Sequence, residues 1–373
     1  MRVYLDHNAT APMRPEAKAA MLEAMELTGN PSSVHGEGRA AKALVERARG
    51  QIAAAFGAEG ADIVFSSGAT EAASLALAGA SEVHAAEIEH DCVRAWLPEL
   101  GPRLPVGADG QIDITPALGA GDGIGIDAGA VVAVQAANSE TGILQRTDKI
   151  AERLATAELR PLLLVDAVQV AGKLPWAFNW SGADMALISA HKFGGPKGVG
   201  ALILRRGLDL PAILKGGGQE MGRRSGTENI AGIAGFGAAA TAAIQDVENG
   251  AWARVEKLRN ILEKTMEDAD PELIFAGKIS ARLPNTSCIV APAWKGETQV
   301  MQMDLAGFAI SAGSACSSGK VKASAALMAM GFTEGQAARA IRVSLGAETT
   351  RGDIDRFANA WLAAYERHKA RAA

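Results

Sequence analysis

The sequence predicts an α/β fold, with a large domain on a mainly parallel sheet and a smaller α+β C-terminal domain. Three observations lead there. Short β-branched runs alternate with alanine-rich stretches of helical spacing along most of the chain. That alternation stops near residue 250 and gives way to a long helix and scattered short strands. The length, 373 residues, exceeds what one ordinary hydrophobic core fills.

The elements follow in order. "DIVFSS" (62–67) reads as a strand, and "GATEAASLALAGA" opens a helix behind it. "AVVAVQAA" (130–137), "PLLLVDAV" (161–168), "DMALISA" (184–190) and "GALILRR" (200–206) are further strands. "RTDKIAERLATAE" supplies a helix between the first two of these. Alternating βα units imply parallel strands with helices on both faces. Beyond them, Val255–Glu267 reads as a long helix. "SCIVAP" and "FAISAG" read as short strands, and two helices are expected near 322–341 and 352–370. The large domain is placed at residues 14–248, and the small one takes residues 1–13 and 249–373.

Composition narrows the function classes. Hydrophobic residues make up 48% and charged residues 21%, with a formal net charge of −5. No basic block stands out, so no nucleic-acid partner is expected. The opening "MRVYLDHNATAP" lacks the apolar core of a signal peptide. The longest uncharged apolar stretch, Ile230–Ile244, falls short of the roughly 20 residues that span a bilayer and reads as a buried helix. No membrane association is expected. Cys92, Cys288 and Cys316 form no CxxC pair of the kind that binds zinc, so no metal is expected. Their odd number argues against a disulfide framework. A reducing cytoplasm is the expected compartment.

In open α/β sheets ligands sit at the carboxyl ends of the strands, so the residues just past each strand carry the chemistry. After "DIVF" comes "SSGATEA", Ser66–Ala72. A small-residue turn entering a helix offers free N–H groups beside the positive end of the helix dipole, a cup suited to phosphate. The same turn also reads as an ordinary capped helix. After "PLLLV" comes Asp166, with Gln169 three residues on. A carboxylate at a strand tip either caps the next helix or meets a cation. After "DMALI" comes "SAHK", which ends on Lys192. Taken singly, Lys192 reads as a solvated surface lysine. Together the cup, the aspartate and the lysine lie on βα units of one sheet, at one edge. Pyridoxal phosphate has a phosphate, a basic ring nitrogen and an aldehyde, and so uses all three.

The chain resembles the class V aminotransferase family of fold-type I pyridoxal-phosphate (PLP) enzymes. Within that family it is similar to the cysteine desulfurases of the NifS/IscS type. The resemblance runs almost end to end, through "YLDHNATAP", "GNPSSVHGEGR", "FSSGATEA", "EIEHDCV", "NSETG", "VDAVQVAGKLP", "SAHKFGGPKGVGAL", "GGGQEMGRRSGTEN", "SAGSACSSG" and "IRVSLG". It implies a cysteine desulfurase that converts L-cysteine to L-alanine and an enzyme-bound persulfide. The persulfide sulfur goes to an acceptor protein such as an iron–sulfur scaffold. A selenocysteine lyase or an aminotransferase of the same fold is the alternative.

The resemblance also implies residue roles. Lys192 is the Schiff-base lysine, Asp166 pairs with the pyridine nitrogen and Gln169 meets the ring hydroxyl. His90 stacks on the ring and assists proton transfer, while Ala69, Thr70, Ser189 and His191 hold the phosphate. Thr227 reaches the phosphate of the partner subunit, which implies a homodimer. Arg342 clamps the substrate carboxylate and Asn30 frames the substrate end. Cys316 lies in "SAGSACSSGK", a run of small residues that packs weakly and is expected to move. Burial gains little there, so a reactive thiol is favoured, and the resemblance makes it the persulfide-forming nucleophile. Cys92 and Cys288 fall on an expected helix and strand and are read as structural. Where the family usually has "NNE", this chain has "NSE". Asn138 is named as the cofactor contact, with Ser139 as the alternative in register. The tail is shorter than in housekeeping relatives, which leaves the acceptor open.

Overall fold

The computed structural model describes residues 2–99, 103–115, 129–157, 159–313 and 323–372. Cys316 lies outside them.

A six-stranded sheet runs in the order Asp62–Ser66, Gly200–Leu204, Met185–Ser189, Leu162–Asp166, Val131–Gln135, Val83–His84. The last four are parallel to one another. Gly200–Leu204 is antiparallel to both of its neighbours. Its turn from Met185–Ser189 is short enough to reverse direction, whereas parallel neighbours need a crossover. Met185–Ser189 and Val131–Gln135 are buried along their whole length. Continuous apolar runs of this kind belong to strands covered on both faces.

The apolar stretch that reads as a buried helix is one: Ile230–Glu248 packs on the helices Pro15–Met25 and Gly36–Ala55. Its glycines permit the close approach. A Cβ at Gly237 would lie 2.9 Å from the Cα of Ala48.

A second sheet, antiparallel throughout, runs Ser311–Ala312, Ala340–Ser344, Thr286–Val290, Ile274–Ala276. The helices Ala251–Ala269 and Arg351–Ala372 pack together beside it. Its core is aromatic, with Trp294, Trp361 and Tyr365 in mutual contact. Val3 and Leu5 from the N-terminus belong to this same core.

The helix expected near 322–341 is corrected. It is two short helices, Ala325–Ala329 and Glu334–Ala337, and the chain has already entered a strand by Ala340. Gly331, at φ +92°, ends the first helix. A capping box between Thr333 and Gln336 starts the second. "FAISAG" is likewise split into two two-residue strands that join different sheets.

Candidate active site

At the carboxyl ends of the parallel strands lies a cavity of about 470 Å³. Three successive strand ends line it, with Gln135, Asp166 and Ser189. The turn Ser67–Thr70 lines it too, as do His90, Ser139, Gln169, His191, Lys192 and Lys197. Ala9 and Thr10 of the N-terminal segment close one side.

The turn is built for close approach. Gly68 has φ +153°, a conformation open only to glycine. The added Cβ at Gly200 would lie 2.8 Å from the Cα of Gly68, so the two backbones touch. Ala69 and Thr70 start the helix Ala69–Leu77, whose first N–H groups have no partner within the helix. Ser189 Oγ stands 3.8 Å from where a Gly68 Cβ would be. His191 faces the same space and hydrogen-bonds Thr10 Oγ1 at 3.2 Å. Burial, then the charges of Lys192, Lys197 and Lys173, bring its pKa down to about 4, so it is a neutral donor or acceptor at neutral pH. Small residues, helix N–H groups and a nearby lysine make this end receptive to an anion.

Asp166 is the opposite kind of group. It is only 8% exposed, and among the described residues its carboxylate accepts one hydrogen bond, from Val168 N to Oδ1 at 3.0 Å. Burial raises its pKa above the ordinary carboxylate range, against the N–H of Val168 and the charges of His90 and Lys192. A desolvated carboxylate that faces a cavity with half its capacity unused is a receptor for a cationic N–H.

Lys192 Nζ donates to the carbonyl oxygens of Asn8 and Ala9 at 2.8 and 3.0 Å. Gln169 Nε2 donates to the same Asn8 oxygen at 3.0 Å. His90 caps a short helix: its Nδ1 accepts from Cys92 N at 3.2 Å, which leaves the ring proton on Nε2. Cys92 Sγ is 3.1 Å from that Nδ1 and also lines the cavity. Burial raises the Cys92 thiol pKa and pushes that of Cys288 up to about 12, so neither is poised as a thiolate.

Arg342 lies on Ala340–Ser344 and faces a small adjoining cavity of about 40 Å³, which shares His90 and Ser139 with the large one. Its Nη2 pairs with Asp6 Oδ1 at 2.7 Å and its Nη1 donates to Ser139 O at 3.0 Å, while Nε is buried with no hydrogen-bond partner among the described residues.

Of the residues named from the sequence, Lys192, Asp166, Gln169, His90, Ala69, Thr70, Ser189 and His191 meet on one cavity. Arg342 adjoins it. Asn138 does not line it. Its Oδ1 accepts from the N–H groups of Glu140 and Thr141 and its Nδ2 reaches Ile88 O, so it holds the loop while Ser139 faces the cavity. Thr227 lines a separate pocket of about 80 Å³ that shares Ser67 and Gly198 with the large one. Asn30 is exposed, lies apart from the cavity and accepts from Ser32 N at 2.9 Å. Sequence reasoning missed Gln135, Lys197 and Asn8. The second lysine of "HKFGGPKG" was a readable signal for Lys197.

The fold and this site define a fold-type I PLP enzyme: a lysine past one parallel strand, an aspartate at the tip of the next, and an anion cup at a helix N-terminus. The chain belongs to the aminotransferase class-V family, whose model matches residues 3–357; members of that family are PLP-dependent. Among its relatives is a cysteine desulfurase of Cereibacter sphaeroides, 40% identical over 372 residues, covering 95% of this chain and 94% of that protein. The cysteine desulfurase IscS of Dictyoglomus turgidum is 35% identical, with 95% and 92% covered. The solved structure of a NifS-like protein from Rickettsia africae ESF-5 superposes with a TM-score of 0.90 at 32% identity. That superposition covers 98% of this chain and 100% of that one. A structure titled SspA in complex with cysteine superposes with a TM-score of 0.77 at 26% identity, covering 94% and 100%.

Proposed function

We infer that the chain is a PLP-dependent cysteine desulfurase, converting L-cysteine to L-alanine and passing the sulfur to an acceptor protein. The observation that carries this reading is the meeting of Lys192, the half-satisfied Asp166 and the Gly68–Thr70 turn on one cavity. The full-length likeness to cysteine desulfurases supports the choice of substrate.

The residues fit the cofactor. The Gly68 turn, Thr70, Ser189 and His191 would hold its phosphate, Asp166 its ring nitrogen, Gln169 its ring oxygen and His90 its face. When bound, the cofactor draws electrons from the substrate Cα and so weakens the bond between Cβ and sulfur. Lys192 both anchors the cofactor and, once released, moves the Cα proton; the Asn8 and Ala9 carbonyls hold its amine at the cavity. Arg342 takes the substrate carboxylate through its remaining N–H groups, with Asp6 and Ser139 fixing its plane. Cys316, assigned from its "GSAC" motif, takes the substrate sulfur as a persulfide.

Thr227, in "RSGT", is proposed to complete the phosphate site of a second copy, making the enzyme a homodimer. Residues 14–248 are proposed as the cofactor-binding domain, and residues 1–13 with 249–373 as the domain that carries Cys316.

The test is incubation of the cofactor-loaded protein with L-cysteine and dithiothreitol, assaying alanine and sulfide. The parent should release both in equal amounts. Cys316→Ala should keep the cofactor absorbance and bind L-cysteine, yet release neither product at more than a trace. Release of both at the parent rate would make this a direct lyase without a protein nucleophile.

A further inference from the structure

Lys173 is 1% exposed, yet the reaction just described gives it no part. It follows the Asp166 strand by one short turn, in "VAGKLP". Its Nζ donates to Gln169 Oε1 at 2.8 Å and to Asn8 Oδ1 at 3.1 Å, both neutral oxygens. The charges that act on it, Lys192 and Arg342, are both positive. A buried ammonium without a counter-ion is costly, and a lysine kept only for its carbon stem is replaceable by methionine. Its position therefore calls for a reason.

The reason lies in the two carboxamides. Gln169 Nε2 donates to Asn8 O, and Gln169 Oε1 accepts from Lys173. A flipped Gln169 would set its oxygen against the Asn8 carbonyl and its amino group against the lysine amine. Lys173 and Asn8 together thus admit one orientation of Gln169. In that orientation the amide nitrogen has a second N–H beyond the one given to Asn8, and Gln169 is on the cavity wall.

Asn8 is pinned in the same way. Its Oδ1 accepts from Lys173 and from Asn285 Nδ2 at 3.0 Å, and its Nδ2 donates to Thr286 Oγ1 at 2.8 Å and Ser139 O at 3.1 Å. The backbone oxygen of Asn8 is the one that also seats Lys192.

We propose that Lys173 is a positioning residue for the reaction, fixing the Gln169 amide so that an N–H donor is presented to the cofactor's ring oxygen. Burial, then Lys192 and Arg342, hold the Lys173 pKa well below the ordinary lysine range. His7 stands under the same influence: burial and then Lys173 bring its pKa down to about 4, so it adds no charge of its own near pH 7.

The proposal rests on Gln169 meeting the cofactor, and the test separates the two. A donor to the ring oxygen stabilises the more negative, deprotonated form of the chromophore. Losing it raises the pH midpoint of the loaded enzyme's visible absorbance. Gln169→Met should raise that midpoint by about one unit, tenfold in the ionisation constant. Lys173→Met should raise it in the same direction, and the double variant should go no further than Gln169→Met alone. A midpoint unmoved by Lys173→Met, or shifts that add, overturn the proposal.

Thermal melting of the cofactor-free protein gives the second reading. Lys173→Met strands a buried Gln169 oxygen and should melt lower. Adding Gln169→Met removes the stranded group and should recover part of the loss. A double variant that melts no higher than Lys173→Met also overturns the proposal, including the case in which the single variant fails to fold. Should Gln169→Met alone leave the midpoint at the parent value, the ring contact of Gln169 is what fails, and the melting cycle still reports whether Lys173 holds it.

Discussion

Asp166→Asn should act in opposite directions on the empty and the loaded protein. In the folded chain Asp166 is desolvated, with one N–H bond and a raised pKa. A carboxyl whose pKa is higher folded than unfolded binds more protons in the folded state over the interval between the two values. Its ionised form therefore costs stability above the folded pKa, and the cost fades as pH falls through it. Asparagine keeps the shape and still accepts from Val168 N, without the charge. Relief of about 1–3 kcal/mol is the scale for a poorly satisfied buried polar group. At about 2.1 cal/mol/K of unfolding entropy per residue, 2 kcal/mol moves the melting point of a 373-residue chain by about 2–3 °C. The cofactor-free variant should thus melt higher than the parent at neutral pH, and the gap should close on acidification. Cofactor binding should move the other way. Loss of a charge-assisted bond to the ring nitrogen, about 1.5–3 kcal/mol, weakens affinity about ten- to a hundredfold. Differential scanning fluorimetry on the empty protein and an absorbance titration with pyridoxal phosphate read the two effects. A cofactor-free variant that melts below the parent, or binds the cofactor equally well, would refute the placement of Asp166 as a receptor held ready for a cation.

Three further outcomes test separate parts of the site. Borohydride reduction of the loaded parent should leave the cofactor mass on the peptide that contains Lys192, and Lys192→Ala should carry none on any peptide. Arg342→Ala should raise KM for L-cysteine about a hundredfold, the scale of a lost bidentate carboxylate contact, with kcat changed much less; an unchanged KM would remove Arg342 from substrate binding. Glu220 is buried and bonded to Arg49 Nη1 at 2.8 Å and to Phe65 N at 3.0 Å. Glu220→Ala should cost about 1–3 kcal/mol, because Phe65 N loses its acceptor and Arg49 keeps only Glu46 and the Ile63 carbonyl as partners among the described residues, and melting within a degree of the parent would contradict this.

Much of the site was legible because one rule of parallel sheets locates it. Asp166 and Ser189 end their strands and Lys192 follows within three residues, so chain position alone put them at one edge. The glycine-marked turn at Gly68 was readable for the same reason. Asn138 read as a cofactor contact because it stands beside the family's usual position. The structure turns its amide back onto its own loop, a choice set by the Glu140 and Thr141 N–H groups that spacing does not reveal. The helix expected over 322–341 failed on Gly331, whose left-handed backbone splits an otherwise alanine-rich stretch. Gln135 was hidden for a different reason. It ends a uniformly apolar strand, and its Nε2 is fixed by Ile88 O from a segment nearly fifty residues away.

The part least visible in the sequence is the N-terminal segment, and it explains how two separate cores make one site. Val3 and Tyr4 pair with Phe308 and Ala309, and Asp6 bridges to Ser344, so the segment is built onto the core beside the second sheet. From there Asp6 Oδ1 holds Arg342, and Asp6 Oδ2 accepts from Ser311 Oγ at 2.8 Å. Two residues on, Asn8 bonds Asn285 and Thr286 on one side and Lys192, Gln169 and Lys173 on the other. The arginine proposed to take the carboxylate and the lysine proposed to take the proton are therefore seated by neighbours on one short stretch of backbone. Arg342 itself sits on Ala340–Ser344 and Lys192 just past Met185–Ser189, so this stretch is a strut between two sheets: a shift of one sheet against the other must strain the Asp6 and Asn8 bonds before it separates the seat of the carboxylate from the seat of the proton.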